Sequence, residues 1–297
     1  MRLRQIEVFH AVYSTGSMTS AAAMLNVSQP SVSKVLAHAE QQLGYLLFDR
    51  VKGKLVPTPE AHRLFAHVSA VYRDVERLRH VAENLRSGDS GRIRIAVTPA
   101  FGLEVLPRAV ATFRDKHGDT VFEIETLHLD QMNEALLESR MEIGIAFDPG
   151  KTPGINEQFL ATSRFVVLAS PSVDFGDRKT LQATDLCGHP FIGLNSRGPL
   201  GRSLSNYLVA VEPHLDVVTW LETYHVAKEL VARGVGVTIT DEITAKSGDT
   251  SRVQILPLNP ELRFDIKVLS LAAVPLSIAT QNFIKHLGNT INEFLDD

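Results

Sequence analysis

Between residues 61 and 85, apolar side chains recur at intervals of three and four: Ala61, Leu64, Val68, Val71, Val75, Leu78, Ala82 and Leu85. A helix gathers such residues into one narrow stripe, and this spacing is the seam of a helix pair rather than the broad face of a helix in a globular core. Thr58-Pro59-Glu60 supplies a start, with proline where the first N–H of a helix has no partner to lose. Ser87-Gly88-Asp89-Ser90-Gly91 supplies a flexible stop. The chain is thereby expected to divide into a head (1–58), a dimerising linker helix (59–87), a hinge (88–91) and a larger body (92–297). Its 297 residues are too many for one small core and suit two or three compact units.

In the head, Ile6, Phe9, Val12 and Tyr13 share one face of a helix over residues 4–14. Gly16-Ser17 ends it. Thr19 is expected to cap a second helix, Ala21 to Leu25, and Ser28 a third that carries Pro30 near its start. That third helix turns Val32, Val35, Leu36 and Ala39 inward. Lys52-Gly53-Lys54 reads as the tip of a hairpin between strands 48–51 and 55–58. The result is a helix-turn-helix with a small β wing.

Charge separates head from body. Six Lys/Arg against three Asp/Glu leave residues 1–58 at +3, so with −4 for the whole chain the rest carries −7. A basic head on an acidic body is the asymmetry expected when only the head meets phosphate. Gln29, Ser31, Ser33 and Lys34 lie on the exposed side of the third helix, where they can read base edges or bond phosphates. Arg50, Lys52 and Lys54 on the wing are placed to grip the backbone. Taken alone, the pattern also suits a three-helix packing module with a solvated face.

From residue 92 strands alternate with helices: strands at 92–97, 122–127, 143–147, 165–169, 191–193, 217–220, 235–239 and 266–271, with helices between them and a last helix near 277–294. This is α/β with a largely parallel sheet. The strand at 165–169 is expected to leave a first lobe (about 92–163 and 267–297) for a second (about 164–266), with a cleft between the two. Thr98-Pro99-Ala100-Phe101 follows the first strand and opens a helix, so its N–H groups and hydroxyl could hold a carboxylate.

The head closely resembles the LysR-type transcriptional regulators. The resemblance rests on Leu3-Arg4-Gln5-Ile6-Glu7-Val8-Phe9, Gly16-Ser17-Met18-Thr19-Ser20-Ala21-Ala22 and Asn26-Val27-Ser28-Gln29-Pro30-Ser31-Val32-Ser33. Glu40, Leu43-Gly44, Leu47-Phe48-Asp49-Arg50 and Pro57-Thr58 extend it. It continues more weakly through Gly91-Arg92-Ile93-Arg94-Ile95, Glu142-Ile143-Gly144-Ile145-Ala146 and Gly234-Val235-Gly236-Val237. The first third is most similar to regulators of lysine, arginine and opine metabolism.

The resemblance implies a winged helix-turn-helix and a two-lobed, periplasmic-binding-protein-like effector domain. It implies a homo-oligomer, dimer or tetramer, on double-stranded promoter DNA, with RNA polymerase as a further possible partner. The implied DNA-contacting set is Thr19, Ser28, Gln29, Pro30, Ser31, Ser33, Lys34, Arg50, Lys52, Lys54 and Thr58. Lys34 departs from the arginine of many members, which keeps the charge and loses bidentate geometry. The implied effector pocket takes the Thr98–Phe101 loop, Asn195, Ser196 and Thr238. His128 and Asp148, at other strand ends, could face it. An amino acid or a derivative is the expected effector, with Asp148 or Glu222 meeting its ammonium or guanidinium group.

Other chemistry is not signalled. The chain has no G-x-S-x-G, H-E-x-x-H, G-x-G-x-x-G or G-x-x-x-x-G-K-[ST] segment, so no catalytic residue, metal or cofactor is expected. His62 and His67 lie five apart on one helix and share no face. The single cysteine, Cys187, excludes an internal disulfide framework and suits a reduced cytoplasm. Met1-Arg2-Leu3-Arg4-Gln5 leads into a helix pattern rather than a signal peptide. A solute-binding module or an enzyme on the α/β lobes are the rival readings, and promoter binding separates the first reading from both.

Overall fold

The computed structural model describes residues 1–51, 54–87, 91–195 and 198–296, without the side chains of residues 76, 77, 80, 81 and 83–87. The expectations for Lys52, Ser196, the seam position Leu85 and most of the hinge (88–90) lie outside the described residues. The chain separates into two compact units, Met1–Glu83 and Asn84–Asp297.

The first unit begins with α1 (Leu3–Thr15), α2 (Met18–Met24) and α3 (Gln29–Leu43). Strands β1 (Phe48–Val51) and β2 (Lys54–Pro57) pair antiparallel as the wing, with Arg50 opposite Leu55. The long α4 follows (Pro59–Ser87). Val8, Phe9, Val12, Ala21, Val32, Leu36 and Leu47 fill one core, Phe9 being completely buried against the rings of Tyr13, Phe48 and Phe65. Ala21 and Ala22 are buried where α2 meets its neighbours, whereas Ala23 faces outward.

Two expectations are corrected here. The cap of α2 is Ser17, whose Oγ accepts from the Ser20 N–H; Thr19 lies inside the helix and exposed. The linker seam does not wait wholly unpartnered: Ala61 and Val68 join the head core, with Leu64 packed beside them. Past them Val71 and Leu78 are 44% and 69% exposed, and Ala82 is also exposed. Proximity explains this division, because the first turns of α4 run directly out of the wing and lie over α1.

The second unit contains β3 (Arg92–Val97), α5 (Val105–Lys116), β4 (Val121–Thr126), α6 (Leu129–Leu137), β5 (Ile143–Phe147), β6 (Ile155–Ala169), β7 (Pro190–Leu194), α7 (Pro199–Leu208), β8 (Asp216–Leu221), α8 (Tyr224–Ala232), β9 (Thr238–Asp241), α9 (Glu242–Lys246), β10 (Gln254–Pro257), β11 (Arg263–Leu271) and α10 (Ile278–Asp296). The sheet order is β10-β6-β11-β5-β3-β4, with β9 also on β6 and a separate β7-β8 pair. The pairs β3/β4, β3/β5 and β7/β8 are parallel. All pairs of β6 and β11 are antiparallel, so the sheets are mixed rather than largely parallel.

The crossing is made by β6. Residues 155–164 pair with β11, and residues 165–169 pair with β9 and β10. It is three times as long as the segment legible as a strand. Its first half alternates half-buried and exposed and carries Asn156, Glu157 and Gln158, which mask it; Glu157 pairs with Lys267 across the ladder at 2.9 Å. The strand expected at 235–239 starts at Thr238 instead. A Cβ on Gly236 would stand 2.3 Å from the Pro190 carbonyl oxygen, so the backbone passes too close to β7 for any other residue there.

Candidate functional site

In the head, α3 presents Gln29, Pro30, Ser31 and Lys34 to solvent, with Ser33 half-buried. Ser28 precedes the first turn, and its Oγ shares a 2.9 Å hydrogen bond with Ser31 Oγ. Arg50 and Lys54 are exposed on the wing. The wing is fixed to α3 by Glu40, whose Oε1 accepts from the N–H groups of Leu47 (2.8 Å) and Phe48 (3.2 Å). Gly44 ends α3 in the left-handed region at φ +80°, which lets the chain turn directly into that contact.

One residue of the expected DNA-contacting set has another task. Thr58 is buried, its hydroxyl donates to the Leu46 and Leu47 carbonyls, and it accepts from the Ala61 N–H. It fastens the wing to the start of α4 and presents no free group to a nucleic acid.

Glu7 of α1 ties the head to the middle of α4. Its carboxylate takes Arg4 at 2.9 Å and Arg79 at 2.6 Å. Burial pushes its pKa upward, but the two guanidinium groups outweigh that and hold it below the usual carboxylate range.

Within the second unit lies a cavity of about 350 Å³. Four chain segments that each follow a strand and begin a helical turn meet there: Thr98–Ala100 after β3, His128–Gln131 after β4, Gly198–Arg202 after β7 and Thr223–His225 after β8. The first N–H groups of a helix have no partner inside it, and its dipole favours negative charge at that end. Two polar atoms in the lining are buried without a hydrogen-bond partner among the described residues, Thr98 Oγ1 and His225 Nδ1. Asp130, Glu222 and Arg202 also line this space. Tyr224 also faces it; burial, then the nearby Asp241 carboxyl, pushes the phenol well up, so it stays a protonated donor.

Of the residues expected for an effector, Thr98, Pro99, Ala100, His128, Asn195 and Glu222 are brought together here. Phe101, Asp148 and Thr238 are not. Phe101 is buried with its ring 4.7 Å from that of Phe147. Asp148 closes the end of the β5–β11 ladder, its Oδ1 accepting from the Asp265 N–H at 2.9 Å. Thr238 is fully buried and donates to the Ile192 carbonyl at 2.8 Å, tying β9 to β7. Sequence reasoning missed Arg202, Tyr224 and His225. The signal was available: Gly198-Pro199 and Thr223-Tyr224 repeat the strand-then-helix-start arrangement that singled out Thr98-Pro99. Among the described residues no group of His, Cys, Asp or Glu is arranged to hold a metal ion, and no helix is long and apolar enough to cross a membrane.

Residues 3–62 match the family of bacterial regulatory helix-turn-helix proteins, lysR family, and residues 86–291 match the LysR substrate binding domain. The chain is 40% identical to the HTH-type transcriptional regulator DgcR of Pseudoalteromonas sp, covering 98% of this chain and 100% of that one. It is 30% identical to the transcriptional activator protein LysR of Escherichia coli (strain K12), over 97% and 92% of the two. Its fold is similar to that of full-length CbnR in complex with target DNA, with a TM-score of 0.67 at 19% identity and coverage of 98% and 100%. With a helix-turn-helix head and a substrate-binding domain both matched, the chain belongs to the LysR family of transcriptional regulators and is not an enzyme.

Proposed function

We propose that this regulator controls transcription in the cytoplasm in response to a free amino acid or a close derivative held between the two lobes of its substrate-binding domain. The observation that carries this reading is the convergence of four helix starts on one cavity that also contains Asp130 and Glu222. The helix starts, Thr98 Oγ1 and Arg202 suit a carboxylate. The two acidic side chains suit an ammonium or guanidinium group. A zwitterion satisfies both halves, whereas a simple dicarboxylate would meet repulsion at Asp130 and Glu222.

On DNA, α3 reads bases through Gln29 and Ser33 while Lys34, Arg50 and Lys54 hold phosphates, and a ligand changes promoter binding or activation by preferring one arrangement of the lobes. The exposed stripe Val71, Leu78 and Ala82 on α4 is where a second copy packs, giving a homo-oligomer. Val71→Asp puts a charge into that seam at a cost of several kcal/mol. It is expected to reduce the mass seen in sedimentation, and an unchanged mass refutes pairing through α4.

The ligand reading is tested by a thermal-shift screen of the full chain against amino acids and small carboxylates. A ligand at a hundred times its Kd raises stability by about 2.7 kcal/mol. Amino acids are expected to shift the transition where carboxylates of the same length without an amine do not. The reverse ranking refutes the zwitterion.

A further inference from the structure

Helix α9 is five residues long and almost wholly interior: Glu242, Ile243, Thr244 and Ala245 are all buried. A helix this short has no stability of its own, so its place is set by what surrounds it. It follows β9 in the lobe that contains β7 to β10, yet it also packs against the Pro99–Gly102 turn and α10 of the other lobe. That turn and α8, which α9 also touches, both enter the interlobe cavity.

Charged side chains make the attachments of α9, and they come from both lobes. Lys246 Nζ donates to the Leu295 carbonyl at the end of α10 (2.5 Å) and stands 3.4 Å from Glu242. Glu104, two residues past the Pro99–Gly102 turn, accepts from the Gly248 N–H just beyond α9 at 2.7 Å. Arg164 sits where β6 passes from β11 to β9 and β10. It holds Glu242 through two nitrogens, at 3.0 and 3.1 Å, and Glu261 on the returning segment at 3.2 Å. From α8, Lys228 Nζ donates to the Ala245 carbonyl at 2.9 Å and to the Ser247 carbonyl. Taking Glu242 and Lys228 out of water is costly, and apolar side chains of similar volume often hold a fold as well. Charge-assisted hydrogen bonds add direction, because they form in one orientation of the joined parts.

We propose that α9 is a clamp that fixes the angle between the two lobes along one edge, with Glu104 and Lys246 as its positioning residues. The consequence reaches the ligand, on the reading that it lies between the lobes. Thr98 and His225 are on opposite lobes, and only an arrangement that keeps them together offers both to one molecule. The clamped fraction therefore scales the apparent affinity, although Glu104 and Lys246 are not part of the cavity lining.

The test measures the distance between spin labels on Glu134→Cys of α6 and Val226→Cys of α8, exposed positions on opposite lobes. It uses full-length Cys187→Ser protein diluted with unlabelled chain and no added ligand, so its outcome does not depend on the zwitterion. The protein with an intact clamp should give a single distance. Glu104→Ala and Lys246→Met should each add a second population, since losing one charge-assisted hydrogen bond moves a two-state ratio by roughly tenfold. Glu104→Gln keeps an oxygen that accepts from Gly248 and should restore the single distance. Arg233→Ala, which removes the exposed Arg233–Glu229 pair of α8, should leave it unchanged. If Lys246→Met does not fold, the Glu104 series alone decides. Two populations with the clamp intact, a single distance in both Glu104→Ala and Lys246→Met, or an equal change in Arg233→Ala overturns the clamp.

Discussion

The two binding regions keep their polar groups in opposite conditions. On α3 and the wing, Gln29, Ser31, Lys34, Arg50 and Lys54 stand in water over a filled core. They lose nothing while no DNA is bound, because their hydration is intact. In the interlobe cavity, Thr98 Oγ1 and His225 Nδ1 are withdrawn from solvent with no partner among the described residues. Such an atom costs about 1–3 kcal/mol until something bonds it. A surface that meets a polyanion gains mainly from displaced counterions and can stay solvated. A site for one small molecule is held ready at the expense of stability. Substitutions in the two regions should therefore differ in sign as well as size.

The largest expected effect lies beneath the DNA-reading surface. Phe9→Ala removes a fully buried ring and should cost about 3–5 kcal/mol, a large part of what holds a small unit together. Operator binding should be lost while the ligand-induced thermal shift of the substrate-binding domain persists. Loss of both responses would mean that the two units do not fold independently.

Thr98→Val sharpens the contrast. It keeps the shape and removes an unpartnered hydroxyl, so the ligand-free protein should melt at the same temperature or higher. Ligand affinity should fall roughly tenfold to more than a hundredfold, as expected for a hydrogen bond to a charged group. Calorimetry with the ligand found in the screen reads this directly, and a destabilised ligand-free protein with normal affinity would make Thr98 a local cap.

Glu7 adds a pH dependence to the head. Its folded pKa lies below the unfolded one, so its contribution is complete above the unfolded value and disappears as pH falls through the folded value. Arg4 and Arg79 are about half exposed, which limits the effect to about 1 kcal/mol or less. Glu7→Gln should flatten the acid side of the head's stability profile, measured by denaturant unfolding at a series of pH values; an unchanged profile would show that the pairing contributes nothing. Smallest of all, Lys54→Ala should leave stability alone, weaken all DNA sequences alike and lower the salt slope by about one. A change in sequence preference would instead place Lys54 at a base.

The legibility of the sequence follows the same contrast. Helix α3 was readable because Val32, Leu36 and Ala39 face one way and Gln29, Ser31 and Lys34 the other, and the hairpin because lysines flank a glycine. The cap of α2 was misread since Ser17 and Thr19 have the same chemistry and only backbone geometry separates them. In the substrate-binding domain the Thr98 turn was visible because proline follows a clear strand. Thr238 to Asp241 was obscured, because a fully buried strand that carries two threonines and an aspartate breaks the apolar pattern. Asp148 was expected in the cavity as a strand end and Thr238 through the family resemblance, yet each is spent on a neighbouring strand. Arg202 and His225 come from helix starts more than a hundred residues from Thr98, and only the fold joins them.

The most direct test of the account measures operator binding by fluorescence anisotropy, using a duplex selected from random-sequence DNA, with and without the amino acid that gives the largest thermal shift. The account predicts that saturating ligand moves the binding midpoint or changes the protein-to-DNA stoichiometry in the unaltered protein, and that Thr98→Val needs at least about tenfold more ligand for the same change. An isotherm that ligand leaves untouched, or equal ligand dependence in both proteins, would contradict control through the interlobe cavity.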